Sequence, residues 1–387
     1  MQAAFLVQPG RLEIREVPDP QPEAGEIVVR VECALTGGTD LKAYRRGHPW
    51  IPMPGPFGHQ WAGSVHRVGQ GVKGFEPGMS LLGVHSAPCM QCRPCSRKRY
   101  SLCDRLGEQM VLGAFAQYLK IPPRVVRQNL LRRPTGMTAT RAAFLEPLSC
   151  VVHAMRLVQW REVHRVLILG LGSMGLLFAR LLPKFTSAPI VGVGRGAERL
   201  ALARQSRLEV VLDASEFEAR LLRRTGSCDA AQRPNSTGGL EARFARPQPP
   251  AAQAPETARA AGLPAPADDA GKLSGFDCVI ECTGRPEGWQ SAFEAADPGA
   301  QVLLFGGLAK GTRIEIDTYR MHYEQLRLLG SFHFGPPDVR AAAELLESKE
   351  LVVEDLVSGQ VGLAGLEQAL QWMGERKGIK YAVDPWT

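Results

Sequence analysis

The sequence lacks the features of a membrane-spanning or secreted protein. None of its apolar runs approaches the roughly 20 residues that a membrane-spanning helix requires. Its first ten residues, Met1 to Gly10, hold no basic stretch followed by an apolar one, so no secretory signal is visible. Hydrophobic residues at 44% and charged residues at 22% are typical of soluble globular proteins. We therefore expect a cytoplasmic protein with no membrane partner.

Positive charge is not concentrated in any segment, although the formal net charge is +7. The 46 Lys and Arg residues are spread along the 387 residues, and the densest group is Arg97-Lys98-Arg99. A group of this size is typical of a solvated face, so we expect no nucleic-acid partner. A smaller part of the excess could serve an anionic cofactor.

The chain has nine cysteines, and four of them fall in one short loop. Cys89, Cys92, Cys95 and Cys103 are separated by gaps of two, two and seven residues. Four thiolates can form a closed tetrahedral cage around Zn²⁺, with no position left for a substrate. Two disulfides or four unrelated thiols are the alternatives, but disulfides do not persist in a reducing cytosol. The pattern predicts a single structural zinc in each chain, so the chemistry must lie elsewhere.

The spacing of apolar runs predicts an α/β fold with two domains, as the length of the chain also suggests. Up to about residue 150, short β-runs alternate with Gly and Pro, which is typical of a compact, mostly antiparallel domain. From about Arg165, strands alternate with helices, which predicts a doubly wound domain around a parallel sheet. The predicted strands are 26–32, 61–68, 79–84, 166–169, 190–193, 276–280, 302–305 and 380–383, and the predicted helices are 174–182, 337–348 and 366–375.

One segment, residues 226–271, fits neither domain. It is rich in Ala, Pro and Arg and shows no hydrophobic periodicity. Such a composition cannot bury enough apolar surface to offset the entropy lost on ordering. We expect a disordered loop inserted into the α/β domain.

A glycine-rich motif follows the first predicted strand of the α/β domain and opens a helix. It reads Gly170-Leu171-Gly172-Ser173-Met174-Gly175. The first glycine permits a tight turn, the second lets the backbone approach a pyrophosphate, and the third lets helix and strand pack closely. The helix N-terminus attracts the phosphates through its free N–H groups. A plain tight turn is the alternative, but the strand-to-helix context indicates a dinucleotide site.

The next strand indicates which dinucleotide binds. An acidic residue is expected at its end to hold the ribose 2′-hydroxyl, but this chain has Gly194-Arg195. With no carboxylate to repel a 2′-phosphate and a guanidinium to grip it, the sequence favours NADP(H) over NAD(H). A solvent-facing Arg195 is the alternative. Thr283 and Gly284, which follow the predicted strand at 276–280, are further candidate cofactor contacts.

These motifs together make the chain resemble the zinc-containing medium-chain alcohol dehydrogenases over nearly its full length. The matching stretches are the four-cysteine loop, Gly38-Thr39-Asp40-Leu41, Gly58-His59, residues 113–118, Glu146-Pro147-Leu148 and residues 170–175. The resemblance implies a GroES-like catalytic domain at 1–153 with a zinc lobe at 89–103, a Rossmann domain at 154–328, and a C-terminal segment at 329–387 that returns to the catalytic domain. It also implies a small-molecule substrate and a homodimer or homotetramer.

In that family a second, catalytic zinc polarises the substrate oxygen, and the resemblance assigns His59 and Glu146 as two of its ligands. The cysteine that usually supplies a third ligand is Gly37 here, and the exchangeable glutamate after the histidine is Gln60. Glycine offers no donor, and an amide oxygen is a poorer zinc donor than a carboxylate. Since zinc sites that hold metal well normally have three protein ligands, we expect this zinc to be weakly held or absent.

Two other cysteines are candidates to replace the missing ligand. Cys33 precedes Gly37 by four residues and is expected inside a strand rather than at its end. Cys150 lies one turn after Glu146 if that segment is helical, and is expected in the core. Neither is therefore a ready substitute.

The resemblance also assigns roles to a short catalytic set. Thr39 would donate a hydrogen bond to the reacting oxygen, and Asp40 would orient His59. Without zinc, Thr39 and His59 could act as proton donors to the developing anion. The alternative is that Thr39 and Asp40 merely cap a helix and that His59 is a satisfied buried histidine. The relay histidine of the family is Lys42 here, so any proton relay must follow another route.

Three functions are compatible with these residues. The first is an NAD(P)(H)-dependent alcohol dehydrogenase or carbonyl reductase with a catalytic zinc of depleted ligation. The second is an NADPH reductase of an activated C=C, C=N or C=O group that works without catalytic zinc. The third is a cofactor-binding protein that does not catalyse a reaction.

Overall fold

A computed structural model describes residues 1–226, 275–348 and 350–387 of the chain. In these residues the strands are β1 (Gln2–Gln8), β2 (Arg11–Glu16), β3 (Ile27–Leu35), β4 (Gly55–Pro56), β5 (Trp61–Val68), β6 (Ser80–Gly83), β7 (Tyr118–Ile121), β8 (Leu130–Arg132), β9 (Val166–Leu169), β10 (Ile190–Gly194), β11 (Val210–Asp213), β12 (Phe276–Glu281), β13 (Ala296–Leu304), β14 (Arg327–Gly330), β15 (Val357–Gly362) and β16 (Lys380–Asp384). The helices are α1 (Gly38–Arg46), α2 (Arg93–Ser96), α3 (Pro123–Gln128), α4 (Ala139–Ala142), α5 (Leu145–Met155), α6 (Ser173–Leu181), α7 (Ala197–Gln205), α8 (Ala214–Gly226), α9 (Pro286–Ala295), α10 (Thr318–Tyr323), α11 (Pro336–Glu347) and α12 (Leu366–Gly374).

Parallel strands form the sheet of the α/β half, in the order β11-β10-β9-β12-β13-β14. β9 and β10 are buried along their whole length, as expected for a parallel sheet with both faces covered. The strand order reverses between β9 and β12. Sheets of this kind bind ligands outside the carboxyl ends of the strands at such a reversal, so the loops after β9 and β12 are the natural cofactor site.

A mostly antiparallel sheet forms the β-rich half, in the order β15-β16-β3-β5-β6-β8, with β7 also paired to β3. Neighbouring strands of this sheet run antiparallel except for β15 and β16. β16 pairs with the end of β3, where Ala382 lies opposite Leu35. The C-terminal segment therefore returns to the β-rich half and carries Lys380 toward the start of α1.

The predicted strands and helices are confirmed, with shifts of up to three residues at their ends, except that the strand predicted at 302–305 begins six residues earlier, at Ala296. The strand predicted at 61–68 is β5, and the helix predicted at 337–348 is α11. The predicted insertion at 226–271 lies outside the described residues, except for Gly226, which ends α8. Residues 1–214 and the described residues between 275 and 387 form one compact unit, whereas residues 215–226 belong to a second one. Every described helix is too short or too polar to cross a membrane.

Candidate functional site

The four cysteines of the sequence motif meet in one lobe of the β-rich half. The Sγ atoms of Cys89, Cys92, Cys95 and Cys103 all lie within 4.8 Å of one another. Backbone N–H groups point at the sulfurs: that of Cys89 donates to Cys103 Sγ (3.2 Å) and that of Cys92 to Cys89 Sγ (3.3 Å). Burial opposes ionisation of Cys89, but the N–H groups of Gln91 and Cys92 lower its pKa to about 6. All four are free thiols rather than disulfides, and the set fits a structural zinc.

The glycine-rich motif lies between β9 and α6, where the strand order reverses. Gly170 has a φ of +101°, and a Cβ there would lie 3.0 Å from the backbone N of Thr283. A Cβ at Gly175 would lie 2.0 Å from the carbonyl oxygen of Gly170, so helix and strand can approach only with glycine at this position. At Gly172, in contrast, a Cβ would meet nothing within 4 Å. This open side at the N-terminus of α6 fits the pyrophosphate of a dinucleotide.

The remaining residues of the motif and the end of β10 surround this loop. Leu171 is buried beneath Gly194, where a Cβ would lie 2.8 Å from that of Leu171. Ser173 and Met174 form the partly buried first turn of α6. Arg195 is exposed and directly follows β10. The structure thus gathers the residues after β9 and after β10 at one edge of the sheet, as a dinucleotide site requires.

A buried carboxylate shapes the loop after β12. Glu281 accepts hydrogen bonds from the N–H groups of Thr283 (2.6 Å) and Gly284 (3.1 Å) and from the Thr283 hydroxyl. Burial raises the pKa of Glu281, whereas these donors and Lys42 oppose the shift. Lys42 reaches the same loops from α1, and its ammonium donates to the carbonyl oxygen of Gly307 (3.1 Å). The position of the family's relay histidine thus holds a cation that connects the β-rich half to the cofactor loops.

Asp40 and His59 form the core of the candidate catalytic site. Asp40 is fully buried on the first turn of α1; its Oδ2 accepts the Gly37 N–H (2.7 Å), and its Oδ1 lies 3.0 Å from His59 Nδ1. His59 Nε2 lies 3.8 Å from Glu146 Oε2. Burial opposes protonation of His59, but Asp40 and Glu146 outweigh it and raise its pKa to about 9. Thr39 is half-buried on the same turn. An imidazolium held by a carboxylate can donate to an oxygen that gains negative charge.

Gln60 is held at both ends of its amide group. Its Nε2 donates to Glu146 Oε2 (2.7 Å), and its Oε1 accepts from Lys380 Nζ (2.7 Å). Lys380 is fully buried and also donates to the carbonyl oxygen of Thr36 (2.7 Å). Burial lowers the pKa of Lys380 to about 8, although Asp40 and Glu146 oppose the shift. Because an ammonium group only donates, it fixes the amide oxygen toward itself and the amide N–H toward Glu146.

The residues of this site do not fit the catalytic zinc of the family. A Cβ at Gly37 would lie 3.2 Å from Gln60 Nε2 and 3.1 Å from Asp40 Oδ2, so the amide occupies the side from which a thiolate would reach a metal. The N–H end of Gln60 cannot ligate a cation, so of the four positions that hold or exchange onto the metal in the family only His59 and Glu146 offer a donor. Among the residues that the structure describes, the cysteine set is the one group of three or more candidate ligands that converges within 4.8 Å.

The two other candidate cysteines do not complete the site. Cys33 lies in β3, where its thiol faces the carbonyl oxygen of Ala34 (3.6 Å) and the hydroxyl of Thr140 (3.7 Å), and burial raises its pKa to about 11. Cys150 lies one turn after Glu146 on α5, with its Sγ 3.5 Å from Oε1. Burial raises the pKa of Cys150 well above its ordinary value. Within the residues described, neither cysteine converges with His59 and Glu146 into a set of candidate ligand atoms within 4.8 Å of one another.

Two residues of this site were not predicted from the sequence: Lys380 and His85. His85 follows β6, and its ring centroid lies 5.3 Å from that of His59. Its Nδ1 lies 3.5 Å from Glu146 Oε1, is buried, and makes no hydrogen bond to any described residue. Burial lowers the pKa of His85 well below its ordinary value. A lysine within an apolar strand was a signal for a buried partner; His85 gave no comparable signal.

Comparison with known proteins agrees with this architecture. The family model "Alcohol dehydrogenase GroES-like domain" matches residues 23–129, and the model "Zinc-binding dehydrogenase" matches residues 251–348. Together these matches cover just over half of the chain, so the resemblance inferred from the sequence is confirmed. The fold class is confirmed as well: a GroES-like domain with a Rossmann domain.

The similar proteins found by comparison align with nearly the whole chain. Galactitol 1-phosphate 5-dehydrogenase of Escherichia coli K12 is 26% identical over 89% of this chain and 88% of its own. D-xylulose reductase A of Aspergillus oryzae is 23% identical over 96% and 92%. A dehydrogenase structure from Sinorhizobium meliloti bound to NADP superposes with a TM-score of 0.77 at 24% identity over 99% of both chains. The chain therefore belongs to the zinc-containing medium-chain dehydrogenase/reductase family, as an NAD(P)-dependent oxidoreductase of the alcohol dehydrogenase type.

Proposed function

We propose that the chain interconverts an alcohol and a carbonyl group of a small polyhydroxy substrate with NADP(H), and that it does so without a catalytic zinc. The observation that carries the second part is the Gln60 amide, which Lys380 and Glu146 hold in the place of metal-binding groups. The substrate class is supported by the relatives at 26% and 23% identity, which are named for galactitol 1-phosphate and D-xylulose.

The chain's own residues supply the polarisation that the metal would otherwise provide. NADPH, when bound, supplies the hydride. Negative charge then grows on the substrate oxygen and needs a donor in a site shielded from water. His59 is the candidate donor because Asp40 fixes its Nδ1 and keeps the ring protonated. Thr39, on the same turn as Asp40, is the second donor.

The preference for NADP(H) is supported by the end of β10. Gly194 carries no carboxylate that would repel a 2′-phosphate, and the exposed Arg195 directly follows the strand. The neighbouring structure that binds NADP has the same fold.

Metal analysis and turnover, measured on the same preparation of the full chain, test this proposal. We expect about one zinc ion per chain, because the cysteine lobe is the one complete ligand set among the described residues. We expect NADPH oxidation with ketoses or sugar phosphates in a panel that also holds simple ketones and activated alkenes. A second zinc per chain would refute the metal-free site. Cofactor binding without turnover on any acceptor would instead show a non-catalytic protein.

Three expectations from the sequence remain proposals. The domain limits are 1–153, 154–328 and 329–387, with a return of the last segment to the first domain that the pairing of β16 with β3 supports. A homodimer or homotetramer is proposed from the family, and light scattering on the purified chain tests it. Cytoplasmic location is proposed from the free thiols, which persist in a reducing compartment.

A further inference from the structure

The loop that follows α12 lies on the first turn of α7, the helix after β10. Glu198 Oε2 accepts the N–H of Gly378 (2.9 Å), and its Oε1 accepts the hydroxyl of Ser358 (2.9 Å). Arg199 Nη2 donates to the carbonyl oxygens of Gly378 (3.2 Å) and Met373 (3.4 Å). The side chains of Glu198 and Arg199 on α7 thus hydrogen-bond to both ends of the loop at residues 374–378.

Arg376 lies within this loop, against the start of α7. Its φ of +65° is left-handed, which is uncommon for a residue with a side chain and indicates that the fastened ends impose the conformation. A Cβ at Gly196 would lie 3.8 Å from Arg376 Cβ and 3.9 Å from its carbonyl oxygen. The turn after β10 therefore carries Arg195 on the chain itself and has Arg376 brought to it by the C-terminal segment.

Arg199 and Arg376 add two guanidinium groups beside this turn. Burial lowers the pKa of Arg199, and the nearby charge of Arg376 lowers it further. The Nε of Arg199 is buried without a hydrogen-bond partner. In the described part of the chain, neither Arg199 nor Arg376 forms an ion pair. Glu198 is already engaged with Gly378 and Ser358. Guanidinium groups held together in this way favour a bound anion.

We propose that Arg376 contacts the 2′-phosphate of NADP(H) beside Arg195 and so contributes to the choice of cofactor. This inference rests on the NADP(H) preference proposed above. The adenosine ribose of a dinucleotide lies at the end of the second strand of a doubly wound sheet, which is β10 here. A phosphate monoester carries nearly two negative charges and three acceptor oxygens, more than one guanidinium can pair. The free N–H groups at the start of α7 strengthen the positive potential.

Direct binding measurements on the full chain test the inference without relying on turnover. The ligands are NADPH, NADH, 2′,5′-ADP and 5′-AMP, titrated by calorimetry. We expect Arg376→Gln to lower the affinity for NADPH and 2′,5′-ADP by about tenfold or more, and to change the affinity for NADH and 5′-AMP by no more than about twofold. Arg376→Gly should lower the same two affinities. Its melting temperature should be unchanged, because glycine adopts the left-handed backbone without strain. Lys377→Gln is the control: it removes a positive charge from the next residue, which pairs with Glu375, and should leave the affinity for both cofactors unchanged.

The outcomes separate this inference from the proposed cofactor preference. If Arg195→Asp abolishes the preference for NADPH but Arg376→Gln leaves it unchanged, the role of Arg376 is wrong and the preference stands. Equal weakening of NADPH and NADH by Arg376→Gln would also overturn the role, since it would place the side chain at a group that both cofactors share. If the unmodified chain binds NADPH and NADH equally, the proposed preference itself fails.

Discussion

At the scale of single residues, Gly37 and Gln60 change the charge of the buried site together. Two groups that are anionic in the family are absent, so two negative charges are missing. Besides His85, which burial keeps neutral, the ionisable side chains around the amide are two acids and two bases: Asp40, Glu146, His59 and Lys380. Because the pKa of His59 is raised to about 9 and that of Lys380 stays near 8, both bases are charged at neutral pH. The set is balanced without a metal, and a divalent cation would leave a costly buried excess of positive charge.

Restoring both missing groups should restore the metal. In Gly37→Cys with Gln60→Glu, the thiolate and the new carboxylate join His59 and Glu146, and we expect zinc to rise from about one to about two ions per chain. Elemental analysis of dialysed protein measures it. Gly38→Cys with Gln60→Glu is the matched control, because a Cβ at Gly38 meets nothing within 4 Å and its thiol lies outside the site. Equal zinc content in the two double variants would show that our account of the site is wrong.

At the scale of elements, the strands, helices and loops that could be predicted from the sequence are those whose signal residues are neighbours along the chain. β9, the loop after it and α6 follow from a buried apolar run and glycines spaced within six residues. Lys380 and Arg376 lie far along the chain from the groups they meet. They reach their sites only because β16 pairs with β3 and because α7 fastens the loop after α12. No local pattern encodes either arrangement, so neither contact was predicted.

Two glycines of the same loop should respond differently to alanine. Gly172→Ala adds a methyl group where nothing lies within 4 Å, so folding should be unaffected, but the methyl group would obstruct the pyrophosphate. We expect the urea midpoint to stay constant and NADPH affinity to fall by about tenfold or more. Gly175→Ala places its Cβ 2.0 Å from the carbonyl oxygen of Gly170, so the urea midpoint should fall. Similar loss of stability in both variants would contradict these separate roles.

At the scale of the whole molecule, the segment after β14 packs against the β-rich half through a cluster of aromatic rings. His333 Nε2 lies 2.5 Å from the hydroxyl of Ser86, which follows β6. Its ring stacks on Phe334 at 4.0 Å between centroids and meets His85 edge-on at 4.9 Å. Burial, together with the charges of His153 and His59, lowers the pKa of His333 to about 3. The ring is therefore neutral where the two halves of the chain meet.

This neutral ring should make the protein less stable in mild acid. Unfolded, His333 has a pKa near 6.5, so below that pH the unfolded chain takes up a proton that the folded chain does not. The stabilisation is complete above about pH 6.5 and declines as pH falls toward 3. Urea midpoints measured from pH 6.5 to 5 should fall, and His333→Gln should flatten the decline. His164→Gln, at an exposed position, should keep the slope of the unmodified chain. If His333→Gln keeps that slope too, the acid sensitivity comes from other groups, and the packing of His333 does not set it.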